Sequence, residues 1–174
     1  MICVLVVVLA TLLGVRGSLS RLSRDAEAMF YDGVYLKDEG YVQPGIDSHL
    51  NKRMDEALNF ATLMEGYPEL AGDTEALLSA RRALKDAASI KGKYSENEKL
   101  QRTFLAVADK AMGLRLSEGD RAEVERCLSS FSGAQTAIQN SRYNQQAKSY
   151  ADSASFLVRI IKPFLFVSSP QTFA

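Results

Sequence analysis

The sequence predicts an all-α protein, with an N-terminal membrane helix followed by an elongated antiparallel bundle of three to four long helices. Apolar residues recur every three or four positions through each long segment after residue 45, and no strand-like alternation competes with this helical period. Short connections between the segments favour consecutive helices that pack as antiparallel neighbours. A run of 14 residues without charge, residues 2–15, opens the chain.

These observations divide the chain into three parts. Residues 1–20 are predicted to form a transmembrane or signal-anchor helix, residues 21–45 a juxtamembrane stalk and hinge, and residues 46–174 a helical bundle domain. At 174 residues with 24% charged side chains, the chain fits one soluble domain after the anchor.

The apolar run is short for a membrane span, which needs about 20 apolar residues. Snorkelling of Arg16 would let the residues that follow it contribute. A cleaved signal peptide, a buried core helix and a start site assigned too late remain alternatives, and the small residues Val15 and Gly17 would suit cleavage. A lipoprotein is disfavoured because Cys3 lies near the start of the run.

Three arginines follow the apolar run at residues 2–15, whereas the terminal amine is the only positive charge before it. The three arginines are Arg16, Arg21 and Arg24. Because basic residues near a span are retained on the cytoplasmic side, we expect a cytoplasmic body.

Residues 29–45 do not follow the helical period. They contain Gly33, Gly40, Pro44 and Gly45, which indicate a loop or turn between the anchor and the bundle. We therefore expect a stalk followed by a hinge.

Two helices are predicted next. The first carries an apolar stripe that ends near Gly66, formed by Ile46, Leu50, Met54, Ala57, Ala61 and Met64. Pro68 is expected to open the second helix, since proline is tolerated in a first turn. Small residues line one row of this helix and would let a neighbouring helix approach closely: Ala76, Ala80, Ala83 and Ala87.

The third helix is predicted to begin at a capping box, Ser95 to Glu98. The last is predicted to run from Ser117 to about Pro163, on the order of 60 Å. Its apolar stripe shifts in phase near residue 145. The apolar tail at residues 164–167 is expected to pack back onto the bundle. Contact with a membrane surface is the alternative, because Arg159 and Lys162 add positive charge there.

The composition excludes several functional classes. The 21 basic and 21 acidic residues cancel, so the basic patch typical of nucleic-acid binding is not expected. The two cysteines, Cys3 and Cys127, form neither a disulfide framework nor a metal knuckle.

No catalytic constellation is found, and we predict no catalytic, cofactor-binding or metal-binding residues and no cofactor. His49 is the single histidine and has no serine or cysteine partner in a motif. Asp47 with His49 is too few ligands for a metal site. The acids between Glu118 and Glu125 are explained by the dipole of a helix N-terminus, and no glycine-rich phosphate loop occurs.

Several short segments resemble the LemA family. They are residues 46–53 with Asn59, then Gly66-Tyr67, Ala80-Arg81, Asn97, Leu100 and Ile138, and above all Arg142-Tyr143-Asn144 with Ala147. The resemblance spans about residue 25 to the end and implies a bacterial protein with one membrane helix, an elongated helical bundle and a poorly defined biochemical role. The sequence departs from the family pattern at Pro68 and at residues 112–116.

The most specific part of this resemblance does not by itself define a ligand site. Arg142, Tyr143 and Asn144 occupy successive helix positions, so their side chains point in different directions. We expect Tyr143 and Asn144 to make buried contacts between helices and Arg142 to pair with a carboxylate, with a binding surface as the alternative. Arg53 and Asn59 are expected to lie on opposite sides of their helix.

Three functional classes remain. The first is a single-pass, membrane-anchored scaffold or interaction protein of the bacterial inner membrane that is not an enzyme and that contacts lipid and other envelope proteins. The second is an unrecognised enzyme of hydrolase type, and the third is a self-assembling structural protein, which the alanine row would permit. A secreted periplasmic helical protein is the alternative if the N-terminus is cleaved.

Overall fold

A computed structural model describes residues 24–145 of the chain, together with residues 21, 147 and 173. The described part is predominantly helical, which confirms the helical class at that level. The predicted anchor, the last helix beyond residue 147 and the apolar tail lie outside the described residues. The chain divides into two compact units, residues 46–141 with 173–174 and residues 1–45 with 142–172.

The larger unit contains four α-helices and one short 3₁₀-helix. Their bounds are α1 Ile46–Met64, the 3₁₀-helix Pro68–Leu70, α2 Ala71–Asp86, α3 Ile90–Met112 and α4 Glu118–Gln139.

Side-chain contacts show how these helices run relative to one another. Successive positions along α1 meet earlier and earlier positions along α4, from Arg53 with Gln135 to Glu56 with Ser130. Helices α1 and α4 are therefore antiparallel. The contact of Lys110 with Asp73 brings the end of α3 to the start of α2, so this pair is antiparallel as well. The result is a four-helix bundle in which consecutive helices alternate in direction, as the short connections predict.

The predicted apolar stripes form the bundle core. All six stripe residues of α1 are buried, and so are the predicted stripe residues of α4: Val124, Cys127, Phe131, Ala134 and Ile138. The start of α4 was also predicted correctly, because the Ser117 hydroxyl accepts a hydrogen bond from the Asp120 amide at 3.0 Å. A side-chain acceptor at this position satisfies an amide that has no partner within the helix.

Two predicted boundaries were wrong and one needs a refinement. Helix α3 begins at Ile90, not at Ser95, because Ser89 caps it by accepting from the Gly92 amide at 3.0 Å and Ile90 already belongs to its buried stripe. Pro68 opens the second helical segment as predicted, but its first turn is a 3₁₀-helix that leads directly into α2. The predicted last helix is interrupted: α4 ends at Gln139, and helical residues resume at 142–145.

The smaller unit contains a short antiparallel hairpin that the sequence did not predict. Residues 24–32 are helical, and strands β1 (Val34–Leu36) and β2 (Tyr41–Gln43) follow. Strands of three residues are too short to show an alternating pattern. A turn at residues 37–40 joins them, and Gly40 in that turn has a φ of 70°, a backbone conformation that favours glycine.

Candidate functional site

The centre of the bundle contains a charged side chain, Arg53 of α1, which is fully buried. Its guanidinium group donates hydrogen bonds to three side-chain amide oxygens, those of Asn97 and Gln101 on α3 and of Gln135 on α4. The Asn97 amide nitrogen also donates to Gln135, at 3.3 Å. One buried cation therefore links three helices through neutral acceptors, and we call these four residues the Arg53 network.

An aromatic stack completes the surroundings of this cation. The guanidinium carbon lies 4.0 Å from the ring centre of Phe131. Phe131 stacks on Phe104 with 3.9 Å between ring centres, and Phe60 lies 5.1 Å from Phe104. A cation over a ring face is attracted by the negative charge above that face, and more strongly so where water is excluded.

The charge of Arg53 is balanced mainly by neutral hydrogen-bond acceptors. In the part of the chain that the structure describes, no carboxylate lies within salt-bridge distance of it. Burial lowers the pKa of Arg53 to about 10, while the more distant Glu98 acts in the opposite direction. The side chain therefore remains protonated at neutral pH, and a protonated guanidinium can donate hydrogen bonds but cannot act as a base or nucleophile.

A second polar cluster joins α1 to α4. Glu56 is 8% exposed and accepts a hydrogen bond from the Ser130 hydroxyl at 2.7 Å. Arg126 approaches the same carboxylate at 3.3 Å and also binds Glu123 at 2.8 Å. Burial opposes ionisation of Glu56, but the hydrogen bonds from Ser130 and Arg126 outweigh it and lower the pKa of Glu56. Glu56 is thus an ionised acceptor at neutral pH and not a proton donor.

Cys127 lies beside this cluster but is not an activated nucleophile. Its side chain is fully buried, and burial raises the pKa of the thiol to about 11 although Arg126 acts to lower it. Because the thiolate is the reactive form, this thiol should be inert at neutral pH.

His49 and Asp47 lie near the start of α1 and do not form a catalytic pair. His49 is half-buried, and burial, followed by the nearby Lys52, lowers its pKa. Asp47 is bound at 2.8 Å by Lys93 of α3, which is an interhelical ion pair. Across the residues that could be searched for metal ligands, no group of three or more histidine, cysteine, aspartate or glutamate side chains converges.

The residues that carry the family resemblance separate into buried and exposed positions. Tyr143 is 1% exposed, packs edge-on against Phe30 with 5.4 Å between ring centres, and has its pKa raised to about 12, mainly by burial. Arg142 is exposed, and its backbone amide donates to Gln43 at 3.2 Å. No salt bridge of Arg142 with a carboxylate is found among the described residues. Asn144 is half-buried.

The arrangement of Arg53 and Asn59 is as predicted. Arg53 is buried and Asn59 is exposed, on different sides of α1. The partners of Arg53 were not predicted, although a signal was present. Arg53 lies on the same side of α1 as the apolar residues Leu50 and Ala57. Asn97 likewise belongs to the buried stripe of α3, one turn before Leu100. Polar residues at such positions need one another as partners once they are buried.

The alanine row of α2 lines a groove on the outside of the bundle and does not form a buried helix contact. The groove measures about 460 Å³ and lies between α2 and α3, with Ala76, Ser79, Ala80 and Ala83 on one side and Glu96, Lys99, Arg102 and Thr103 on the other. It is a shallow surface with a charged rim and holds no buried polar group.

Comparisons with known proteins do not extend this description. No family model matches the chain, and neither a curated protein nor a solved structure matches it. None of the helices within the described residues is both long and apolar enough to cross a membrane. The apolar run at residues 2–15 lies outside that search.

Proposed function

We propose that this chain is a LemA-like, membrane-tethered scaffold of the bacterial cell envelope that acts by binding other proteins and not by catalysis. The proposal is based on where the buried polar side chains find their partners. Arg53 and Glu56 each bind partners inside the bundle, across α1, α3 and α4. They serve to hold helices together, which leaves the outer helix surfaces as the part that meets other molecules.

The tether in this proposal is the N-terminal apolar run. Residues 2–15 carry no charge, and Arg16, Arg21 and Arg24 follow them. The family resemblance implies one membrane helix at this position and an elongated bundle. The proposed cytoplasmic side for the body follows from the three arginines, because basic residues near a span are retained on that side. The long helices also favour contact over an extended surface, since α3 with its 23 residues has a length of about 35 Å.

Membrane fractionation tests the tether. The full chain should stay with bacterial membranes through an alkaline carbonate wash, whereas a variant that lacks residues 2–15 should be released. The intact mass of the membrane-bound protein separates this proposal from its secreted alternative, because a cleaved signal peptide would remove the apolar run. Release of the intact full chain by carbonate would contradict the tether.

Protease accessibility tests the orientation. In spheroplasts, a protease added from outside should spare a cytoplasmic body and should cut it once the membrane is permeabilised. Cutting before permeabilisation would place the body on the outer side.

The alternative that the chain is an enzyme requires a different arrangement of residues. A hydrolase requires a convergent nucleophile and base, and Cys127 and His49 lie on different helices with raised and lowered pKa values, respectively. Labelling of the full chain in a Cys3→Ser background with a fluorophosphonate or iodoacetamide probe should give no site-specific modification. Stoichiometric labelling of one folded-state residue would favour the enzyme.

A further inference from the structure

The hairpin and the helical residues just before it carry exposed apolar side chains that the proposed function does not use. Within the described residues, six large hydrophobic side chains are exposed, and four of them lie between residues 31 and 42. They are Tyr31 at 44%, Tyr35 at 59%, Tyr41 at 47% and Val42 at 56% exposure. The other two, Leu58 and Leu105, are single residues at 39% each on separate helices. Scattered exposed side chains are ordinary, whereas a local concentration indicates a contact surface.

The strand register defines the centre of this surface. Tyr35 of β1 lies directly opposite Val42 of β2, so the two side chains share one face of the hairpin. The next pair, Leu36 with Tyr41, lies on the other face, where Leu36 is 8% exposed. On that other face Tyr41 is 47% exposed, so only Leu36 is covered there, whereas both side chains of the Tyr35–Val42 face are exposed.

We propose that this Tyr35–Val42 face docks at the headgroup level against zwitterionic phospholipid of the membrane in which the N-terminal run is inserted. This inference rests on the proposed tether. Tyrosine suits that level because its ring is apolar and its hydroxyl can remain hydrated.

The length of chain before the hairpin supports a membrane as the occupant. As a helix, residues 2–15 extend about 21 Å, which is shorter than the hydrocarbon thickness of about 30 Å. A span that is too short draws the residues after it towards the headgroups. Only 15 residues separate Val15 from Tyr31. Because residues 24–32 are helical, Tyr31 lies within about 40 Å of the end of the run even at full extension.

Charge decides which lipid fits. The turn at the tip of the hairpin holds one base, Lys37, and two acids, Asp38 and Glu39. This excess of negative charge gives no attraction to anionic headgroups. A second copy of the chain is a weaker occupant, because edge strands of three residues offer little backbone for pairing.

Tryptophan fluorescence of the full chain tests the proposal, because the chain contains no native tryptophan. The variant Tyr35→Trp is reconstituted in vesicles of ordinary or brominated phosphatidylcholine. We expect brominated lipid to quench the introduced indole about twofold. The matched control is Leu105→Trp, at an exposed position on α3, and its emission should not change. Adding Val42→Asp to Tyr35→Trp should abolish the quenching, and phosphatidylglycerol should not increase it.

Each other outcome overturns the inference in a distinguishable way. If the chain floats with the vesicles but the indole at position 35 is neither quenched nor blue-shifted, the docked hairpin is wrong and the tether stands. A blue shift without lipid quenching means that protein covers the face, as in a second copy. Quenching that requires phosphatidylglycerol contradicts a neutral surface. If the intact chain fails to float with the vesicles, the tether and the docked hairpin are both wrong.

Discussion

Replacing Arg53 by alanine should destabilise the bundle by about 2–4 kcal/mol. The Asn97 carbonyl oxygen is fully buried and would lose its charged donor, which costs about 1–3 kcal/mol. Loss of the contact with Phe131 adds up to about 2 kcal/mol, and the space left by the arginine stem adds a packing cost. The alanine variant no longer has to bury a cation, and this gain offsets part of the loss in stability. Gln135 keeps the Asn97 amide as a donor and so adds little.

Two further variants separate the polar cost from the packing cost. Arg53→Met retains a stem of similar length and should cost only about 1–2 kcal/mol, because mainly the unpaired Asn97 remains. Adding Asn97→Leu removes that buried polar group and should recover stability, with a coupling of at least about 1 kcal/mol between the two sites. Arg121→Ala, at an exposed position of α4, is the matched control and should change stability by less than about 0.5 kcal/mol.

Urea unfolding of the full chain in mild detergent, followed by far-ultraviolet circular dichroism, measures these differences. A loss of less than about 1 kcal/mol for Arg53→Ala would refute the claim that the network holds three helices together. Independent effects of Arg53→Met and Asn97→Leu would refute the hydrogen bond as its cause.

Three other predictions concern single positions. Ser89→Ala should cost about 1 kcal/mol in the same unfolding assay through loss of the α3 cap, whereas Ser95→Ala should have little effect; equal losses would contradict the observed start of α3. The lowered pKa of Glu56 stabilises the fold above the ordinary glutamate value of 4.5, and this contribution is lost as the pH falls through the lower folded-state pKa. The stability of wild type should therefore fall more steeply on acidification than that of Glu56→Gln, and parallel pH profiles would contradict the pairing. In a Cys3→Ser background, Ellman's reagent should modify Cys127 only after unfolding, because burial holds its pKa near 11; rapid reaction of the folded chain would refute this.

The helical periodicity of the sequence was sufficient to predict most of the bundle. Stripes such as Leu50 to Met64 become buried because a helix with one apolar face must cover that face against another helix. One failure has its origin in local chemistry. Ser95 with Glu98 has the form of a capping box but lies inside α3, because the buried stripe already begins at Ile90. The period of the apolar residues predicts which face of a helix is buried. It does not by itself predict where the helix begins, which depends on the first residue that the buried face includes.

The remaining failures reflect signals that are weak in sequence. The helix interruption after Gln139 lies close to the phase shift of the apolar stripe, and Asn140 and Ser141 can bond to nearby backbone groups instead of extending a helix. The hairpin strands are too short for a pattern. The Arg53 network depends on residues far apart in the chain, and only the packed helices bring them together.

Crosslinking in intact cells followed by mass spectrometry tests the proposed scaffold function most directly. A photoreactive residue placed at exposed positions around the bundle of the full chain should capture a small, reproducible set of membrane proteins, with contacts confined to one face. The same positions in a variant that lacks residues 2–15 should lose that set, because the tether sets the local concentration of partners. Recovery of nothing beyond abundant background proteins from the membrane-bound full chain would contradict the proposal.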